Sequence, residues 1–367
     1  MSSMDTPRAW RRVSVGLLAA VTVTVGLTIG YPQPAVAAAA CTGSAPLTRL
    51  VLPNNPTVAR HAYVAFSAVN SHGTYGGIAG DSNGTFEMLR YDLAQKRVTV
   101  LDKATFSPWG DPDSVVAVGV DNSGAVTFKV THFGPKAATL TGYRYSGGHK
   151  YTLWHLPTWT SFEPEGVAAD GTIVGEVSLS DGTARAVKWT GTGSGRGWYV
   201  SDKNSWGAGI DGRGNIAYND SAGHISLVTP TGVVRELVNQ SGGSVFATHW
   251  VTAGAFVYGT GPAGSGSVGL RWRTADAPGT GPIRATATPP IVYGNAAGTG
   301  GTLVGVAKGF PSTGPEYYLK PGIPVHHLPA IFNEDNLSDN APVAVNQSGA
   351  VVYTGTDGLP RLVNCTA

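Results

Sequence analysis

Val167-Ala168-Ala169-Asp170-Gly171-Thr172-Ile173-Val174-Gly175 reads as the end of one β-strand, a tight turn and the start of a second strand. The Asp-Gly pair supplies the turn, because glycine accepts the left-handed backbone a tight reversal needs, and the β-branched residues on either side suit strands. The same spacing occurs seven times. Anchor glycines stand at Gly73, Gly124, Gly171, Gly214, Gly254, Gly301 and Gly349, separated by 40 to 51 residues. Four positions before them are Val69, Val120, Val167, Ile210, Trp250, Ala297 and Val345. Four positions after them are Gly77, Phe128, Gly175, Tyr218, Tyr258, Gly305 and Tyr353, always Gly, Tyr or Phe. Strand-rich units repeating at about 45 residues predict a β-propeller. The expected fold is therefore all-β, a seven-bladed β-propeller.

The valine-like position marks the innermost strand of each blade. The residue before it is Ala68, Gly119, Gly166, Gly209, His249, Ala296 or Ala344, small in all but one copy, as expected where sheets crowd around an axis. A second strand follows each glycine. A third carries basic-aromatic pairs, Arg90-Tyr91, Arg144-Tyr145, Lys188-Trp189 and Arg271-Trp272, read as a packed ring with its cation reaching water. A fourth strand alternates, as in Arg97-Val98-Thr99-Val100-Leu101. Gly191 to Gly197, Gly261 to Gly266 and Pro278 to Pro290 read as loops.

Residues 1–40 read as a separate object. Arg8, Arg11 and Arg12 precede an apolar run from Val13 to Ile29 and then Ala35-Val36-Ala37, the pattern of a secretion signal. A lipoprotein site at Ala38-Ala39-Ala40-Cys41 and a twin-arginine signal at Arg11-Arg12 are alternative readings. Residues 41–367 then form one propeller domain, exported and extracellular. Its seventh copy is one strand short. Leu47-Thr48-Arg49-Leu50-Val51-Leu52 matches the missing outer strand, so the N-terminal strand is expected to complete the last blade and close the ring. Cys41 and Cys365, the two cysteines, would lie at that junction, and a disulfide between them suits an exported chain.

Charge excludes some partners. Removing residues 1–40 leaves 22 basic and 22 acidic residues, so the mature chain is formally neutral and has no basic run for nucleic acid or an anionic membrane. No membrane span is expected after signal removal, and a monomer is expected. No cofactor motif is present: there is no zinc pattern, calcium loop, Gly-x-Ser-x-Gly elbow or phosphate-cradling loop. His326-His327 is a lone pair and no metal site is assigned.

From Gly166 to Trp189, the quoted stretch is followed by Arg185-Ala186-Val187-Lys188-Trp189. This segment resembles the HAF-type extracellular repeat, in which a His-Ala-Phe tripeptide precedes a Trp; here Arg185-Ala186-Val187 takes its place. Repeat by repeat, the resemblance spans about residues 62–365. It implies a secreted bacterial propeller and assigns no catalytic residue.

In a propeller, the segments leading into each inner strand gather on one face, where ligands usually sit. Here they carry aromatic and acidic residues: Trp109 and Asp111, Trp159, Glu165, Trp206, His249 and Trp250, Tyr293, and Asp339. Aromatic faces beside carboxylates suit sugar rings. The bland reading is that Phe162, Trp206, Phe246 and Tyr293 seal the seams between blades, which leaves Trp109 and Trp159 as the better ligand candidates. Glu165 and His249 break the repeat at crowded positions and are weak candidates for acid-base catalysis. The leading functional expectation is a non-catalytic binder of an extracellular polymer such as carbohydrate. A polysaccharide-cleaving hydrolase or lyase, and a scaffold for a secreted protein, are the alternatives.

Overall fold

A computed structural model describes residues 63–80, 85–105, 114–133, 138–221, 224–237, 251–253, 256–263, 266–275, 283–284, 293–297, 303–306, 316–319, 326–327, 343–345, 350–354 and 359–363. Among the described residues every sheet is antiparallel, with strands joined in chain order; six have four strands and one has three. The first sheet comprises Tyr63–Val69, Thr74–Gly80, Thr85–Asp92 and Arg97–Thr105. The second comprises Ser114–Val120, Val126–Phe133, Ala138–Ser146 and His149–Thr152. The third comprises Trp159–Val167, Ile173–Leu179, Ala184–Thr190 and Arg196–Tyr199, and the fourth Ser205–Ile210, Ile216–Asp220, Ile225–Val228 and Val234–Leu237. The fifth begins at Val251–Ala253, the sixth at Tyr293–Ala297, and the three-stranded sheet at Val343–Val345.

The anchor glycine closes the turn between first and second strands. Gly73, Gly124, Gly171 and Gly214 have φ between 76° and 86°, which a side chain would strain. An Asn or Asp caps three of these turns. The Asp121 Oδ1 accepts from Ser123 N and Ala125 N, and Asn70 and Asp211 hold their turns in the same way.

Most first strands bulge shortly before the turn. The register shifts between Phe66 and Ala68, Ala117 and Gly119, Trp206 and Ala208, and Gly294 and Ala296, and the third sheet shifts at Val174/Gly175, leaving Glu165 unpaired. The Gly, Tyr or Phe position lies opposite this bulge. Gly77 pairs with Phe66 and Gly175 with Pro164, whereas Phe128 pairs with Ala117 and Tyr218 with Ala208. Large faces small in each of these pairs. The space is tight: a Cβ on Gly175 would stand 1.9 Å from Glu163 O, and one on Gly77 2.1 Å from Ala65 O.

The core lies between neighbouring sheets rather than within one. Ala68 and Met88 pack with Val115, Val126 and Phe128 of the second sheet, and Val174 and Ala186 pack with Ala208, Ile210 and Ile216 of the fourth. Ala217 and Leu227 meet Val257 and Trp272 of the fifth. The last sheet meets the first in the same way, with Val352 buried among Val64, Phe66, Tyr75 and Tyr91.

Two expectations need correction. Arg144 does not reach water: it is 7% exposed, and its guanidinium donates to Asp121 Oδ2 at 2.5 Å and to Gly191 O at 2.8 Å. Burying an arginine requires a carboxylate partner, and Asp121, in the adjacent turn, supplies it. The Gly-rich loops are also partly strand. Arg196–Tyr199 begins inside the first, and Phe256–Ala263 pairs with Gly266–Arg273 through the second. Cross-strand hydrogen bonding there overrides glycine's weak strand preference. Ile283–Arg284 is a short strand within the third.

Replacing Gly175 by alanine is expected to cost about 1–3 kcal/mol, as overpacking does, because the added methyl meets backbone rather than a side chain that can rotate away. Urea denaturation of the Gly175→Ala protein should show a lower midpoint with the slope unchanged. An unchanged midpoint would contradict the packing described.

Candidate functional site

Four charged residues converge where the second, third and fourth sheets meet. Lys129 lies on the second strand of the second sheet, Glu163 and Glu165 on the first strand of the third sheet, and Glu176 on its second strand. Glu163 and Glu176 are direct cross-strand partners and so share a face. Lys129 Nζ donates to Glu163 Oε1 at 2.5 Å. Gly207 N of the fourth sheet donates to Glu176 Oε2 at 3.0 Å, and Ala208 N donates to Glu165 Oε2. These two amides flank the bulge of the fourth sheet, where the ladder has left backbone donors unpaired.

Lys129 and Glu176 occupy one repeat position, the residue after the Gly, Tyr or Phe slot. Thr354 has the same place in the last sheet, and its Oγ1 donates to Val64 O of the first sheet at 3.1 Å. This position reaches from one sheet to the first strand of the next. The bulge residue makes a similar link: Ser67 Oγ donates to Ala117 O at 2.7 Å, and Glu165 takes that role between the third and fourth sheets. Turn residues add another, with Asn70 Nδ2 donating to Asp121 O and Asn122 N to Ala169 O.

Enclosure changes the acidity of this cluster. Burial is the main cause that pushes the Glu176 carboxyl up to about 7; the Gly207 amide opposes the rise and Glu163 adds to it. Glu165 rises to about 8, first through desolvation and then through Glu163 and Glu176. Glu165 is exposed to water, which moderates its rise, whereas Glu176 is half-buried. Burial alone would lower the Lys129 pKa, but the attraction of Glu163 and its hydrogen bond outweigh this and hold it above the ordinary lysine value.

The aromatic candidates separate. Trp159 is only 6% exposed, with Nε1 donating to Tyr199 OH at 2.8 Å and its ring edge-to-face with Trp154 and Trp189. It belongs to the core and offers no face to a ligand. Phe162 is buried and stacks on His155 at 4.7 Å, as a seam-sealing residue should. Trp206 is different: it remains 36% exposed, and the next residue is Gly207, whose amide holds Glu176. By register Trp206 stands in the row of Asn219, Ile225 and Leu237, which packs toward the fifth sheet, so the structure does not bring its indole to the seam of Glu165. Tyr293 opens the sixth sheet, paired with Val306. Trp109, Asp111, His249, Trp250, Asp339, Cys41 and Cys365 lie outside the described residues, as does Leu47 to Leu52. Among the described residues no group of three His, Cys, Asp or Glu is placed to hold a metal.

No family model matches the chain, and no curated protein matches it. Solved structures do. Prolyl endopeptidases studied for inter-domain dynamics superpose with a TM-score of 0.53 at 14% identity, covering 86% of this chain and 53% of theirs. The chain has the β-propeller fold. TolB from Acinetobacter baumannii matches at TM-score 0.43 and 12% identity, over 82% of this chain and 63% of that one. The β-propeller domain of the Trilobed protease from Pyrococcus furiosus, described as having an open velcro topology, matches at 0.38 and 8%, over 58% and 63%. The chain therefore spans between half and two thirds of the length of these neighbours, and at such identities the likeness concerns the propeller fold alone.

The cluster makes stability pH-dependent. Both glutamates are raised above the usual 4.5, so their contribution is complete below that value and is lost as pH rises through about 7 to 8. Denaturant midpoints should fall between about pH 5 and about pH 9, and Glu176→Gln should flatten the profile. A wild-type midpoint that is level over this range would refute the assignment.

Proposed function

We propose that this chain is an exported seven-bladed β-propeller, one domain over residues 41–367, that binds an extracellular polymer, carbohydrate in the first instance, without cleaving it. The observation that carries the binding reading is Trp206. An indole left open on the fourth sheet offers a stacking face of the kind a sugar ring uses. The non-catalytic reading is supported by Glu165 and Glu176, each with one carboxylate oxygen engaged by a backbone amide of the next blade. They serve first to join blades. Carboxyls titrating near neutrality favour the alternative of a polysaccharide-cleaving enzyme, and product release distinguishes the two.

The seven-blade ring is supported by the Thr354 to Val64 hydrogen bond, which repeats between last and first sheets the link that Glu176 makes between third and fourth. In this reading Leu47 to Leu52 supplies the fourth strand of the last blade, and a Cys41–Cys365 disulfide ties the junction. Residues 1–40 direct export and the HAF-type likeness of residues 166–189 fits the same location. The loop-entropy model allows such a disulfide up to about 5 kcal/mol. Cys41→Ser should lower the melting temperature under oxidising conditions and leave it unchanged under reducing ones. Equal melting in both conditions would remove the closure proposal.

The function is tested by incubating the mature protein with insoluble bacterial, fungal and plant polysaccharides, measuring protein in the pellet and oligosaccharide in the supernatant. Retention without release is expected. Trp206→Ala should weaken retention about tenfold, the loss of about 1.4 kcal/mol that a stacked aromatic can supply. Released oligosaccharide would replace binding by catalysis. Failure to bind any glycan, with retention of a secreted protein, would make the chain a scaffold.

A further inference from the structure

Trp198 is 46% exposed on the outer strand of the third sheet, where neither the repeat nor the cluster at the axis requires an indole. Exposed apolar side chains are frequent on the outer strands of this sheet and the next. The large exposed hydrophobics among the described residues are Phe133, Trp198, Tyr199, Trp206, Val233 and Val234, and four of these lie on or beside the outer strands of the third and fourth sheets.

The register shows that these strands face each other. Val174, Lys188 and Trp198 are successive cross-strand partners, so they form one row on one face of the third sheet. Val174 packs with Ala208, Ile210 and Ile216, so this face looks toward the fourth sheet. Ile216, Val228 and Val234 form the corresponding row opposite, with Ile216 in that cluster and Val228 packed against it. Near the axis the seam is filled. At the outer strands it opens between Trp198 and Lys188 on one wall and Val234, itself 56% exposed, on the other.

The open wall is cationic. The Arg196 guanidinium lies 4.3 Å from the centre of the Trp198 ring, two residues along the same face, which holds the indole in one orientation. Among the described residues neither Arg196 nor Lys188 has a carboxylate partner. On the facing wall Glu236 is taken up by His224 at 3.0 Å.

We propose that the outer seam between the third and fourth blades binds an acidic polysaccharide. The C–H face of a uronic acid ring stacks on Trp198, and its carboxylate pairs with Arg196 and Lys188. A flat indole with cations at its rim suits a pyranose bearing a carboxylate. An acidic peptide carries the same charge but has no rigid apolar face to lay on the ring. This inference rests on the polymer-binding reading and names its ligand class, at a place separate from Trp206.

The test uses the mature protein and its Trp198→Ala, Arg196→Ala and Trp206→Ala variants, with thermal melts to confirm folding. Each is applied to immobilised polygalacturonate, its methyl ester, a neutral glucan and poly-glutamate. Trp198→Ala and Arg196→Ala should each weaken polygalacturonate binding about tenfold, and the ester should bind as weakly as those variants do to the acid. Wild-type affinity in both variants would overturn the site, as would poly-glutamate binding with the same strength and the same sensitivity. Binding confined to neutral glucan and lost with Trp206→Ala would overturn this site while leaving the polymer-binding reading intact. Binding to none of the glycans would overturn both.

Discussion

The first strands of successive blades must lie side by side with almost no room between them, and much of the structure follows from that constraint. A Cβ on Gly119 would stand 2.4 Å from Val167 Cβ of the next blade. Small residues before most of the valine-like positions let the strands approach, and the bulge before the turn re-aims the strand as it does so. Opposite the bulge, the second strand must match what the first presents. Glycine accompanies Phe66 and Pro164, and an aromatic accompanies Ala117 and Ala208. The repeat is thus a rule of complementary volume rather than of residue identity.

Close approach also decides the polar chemistry. A bulge frees backbone groups from the ladder, and those groups are then buried in a seam where an unmade hydrogen bond is costly. Neighbouring blades supply the partners: Ser67 for Ala117, and Glu165 and Glu176 for the Gly207–Ala208 bulge. Where the partner is a carboxylate, the seam becomes a titrating site as well as a joint. The third and fourth blades concentrate this chemistry, with the carboxylates at the bulge of their shared seam and the open indole of Trp198 beside the cations at its outer strands.

The repeat was legible because its signals are backbone requirements that recur: the left-handed glycine, the small residue and the β-branched strand each face the same demand in every copy. Site chemistry was less legible because it depends on which copy faces which. Trp159 looked like a ligand residue from its place before an inner strand, but Trp154 and Trp189, distant in sequence on one side, enclose it. Glu165 was visible as an outlier, while Glu176 and Lys129 were missed. A signal for them existed: charges in one repeat slot of adjacent blades, where other copies have Ile78 or Val306. Trp198 was hidden by the glycines before it, which read as loop, although cross-strand pairing makes Arg196–Tyr199 an outer strand. Arg144 looked like a cation bound for water because its partner Asp121 is 23 residues away, in a turn the sequence marks only as a turn.

The most direct test of a binding face on the seam of the third and fourth blades is hydrogen–deuterium exchange of the mature protein, free and saturated with a polysaccharide that retains it. Slower exchange on binding is expected in the segment from Arg196 through Ala208, which contains the outer strand, the connection and the bulge amides. Protection confined to other blades, with this segment unchanged, would place the ligand elsewhere and contradict the site described.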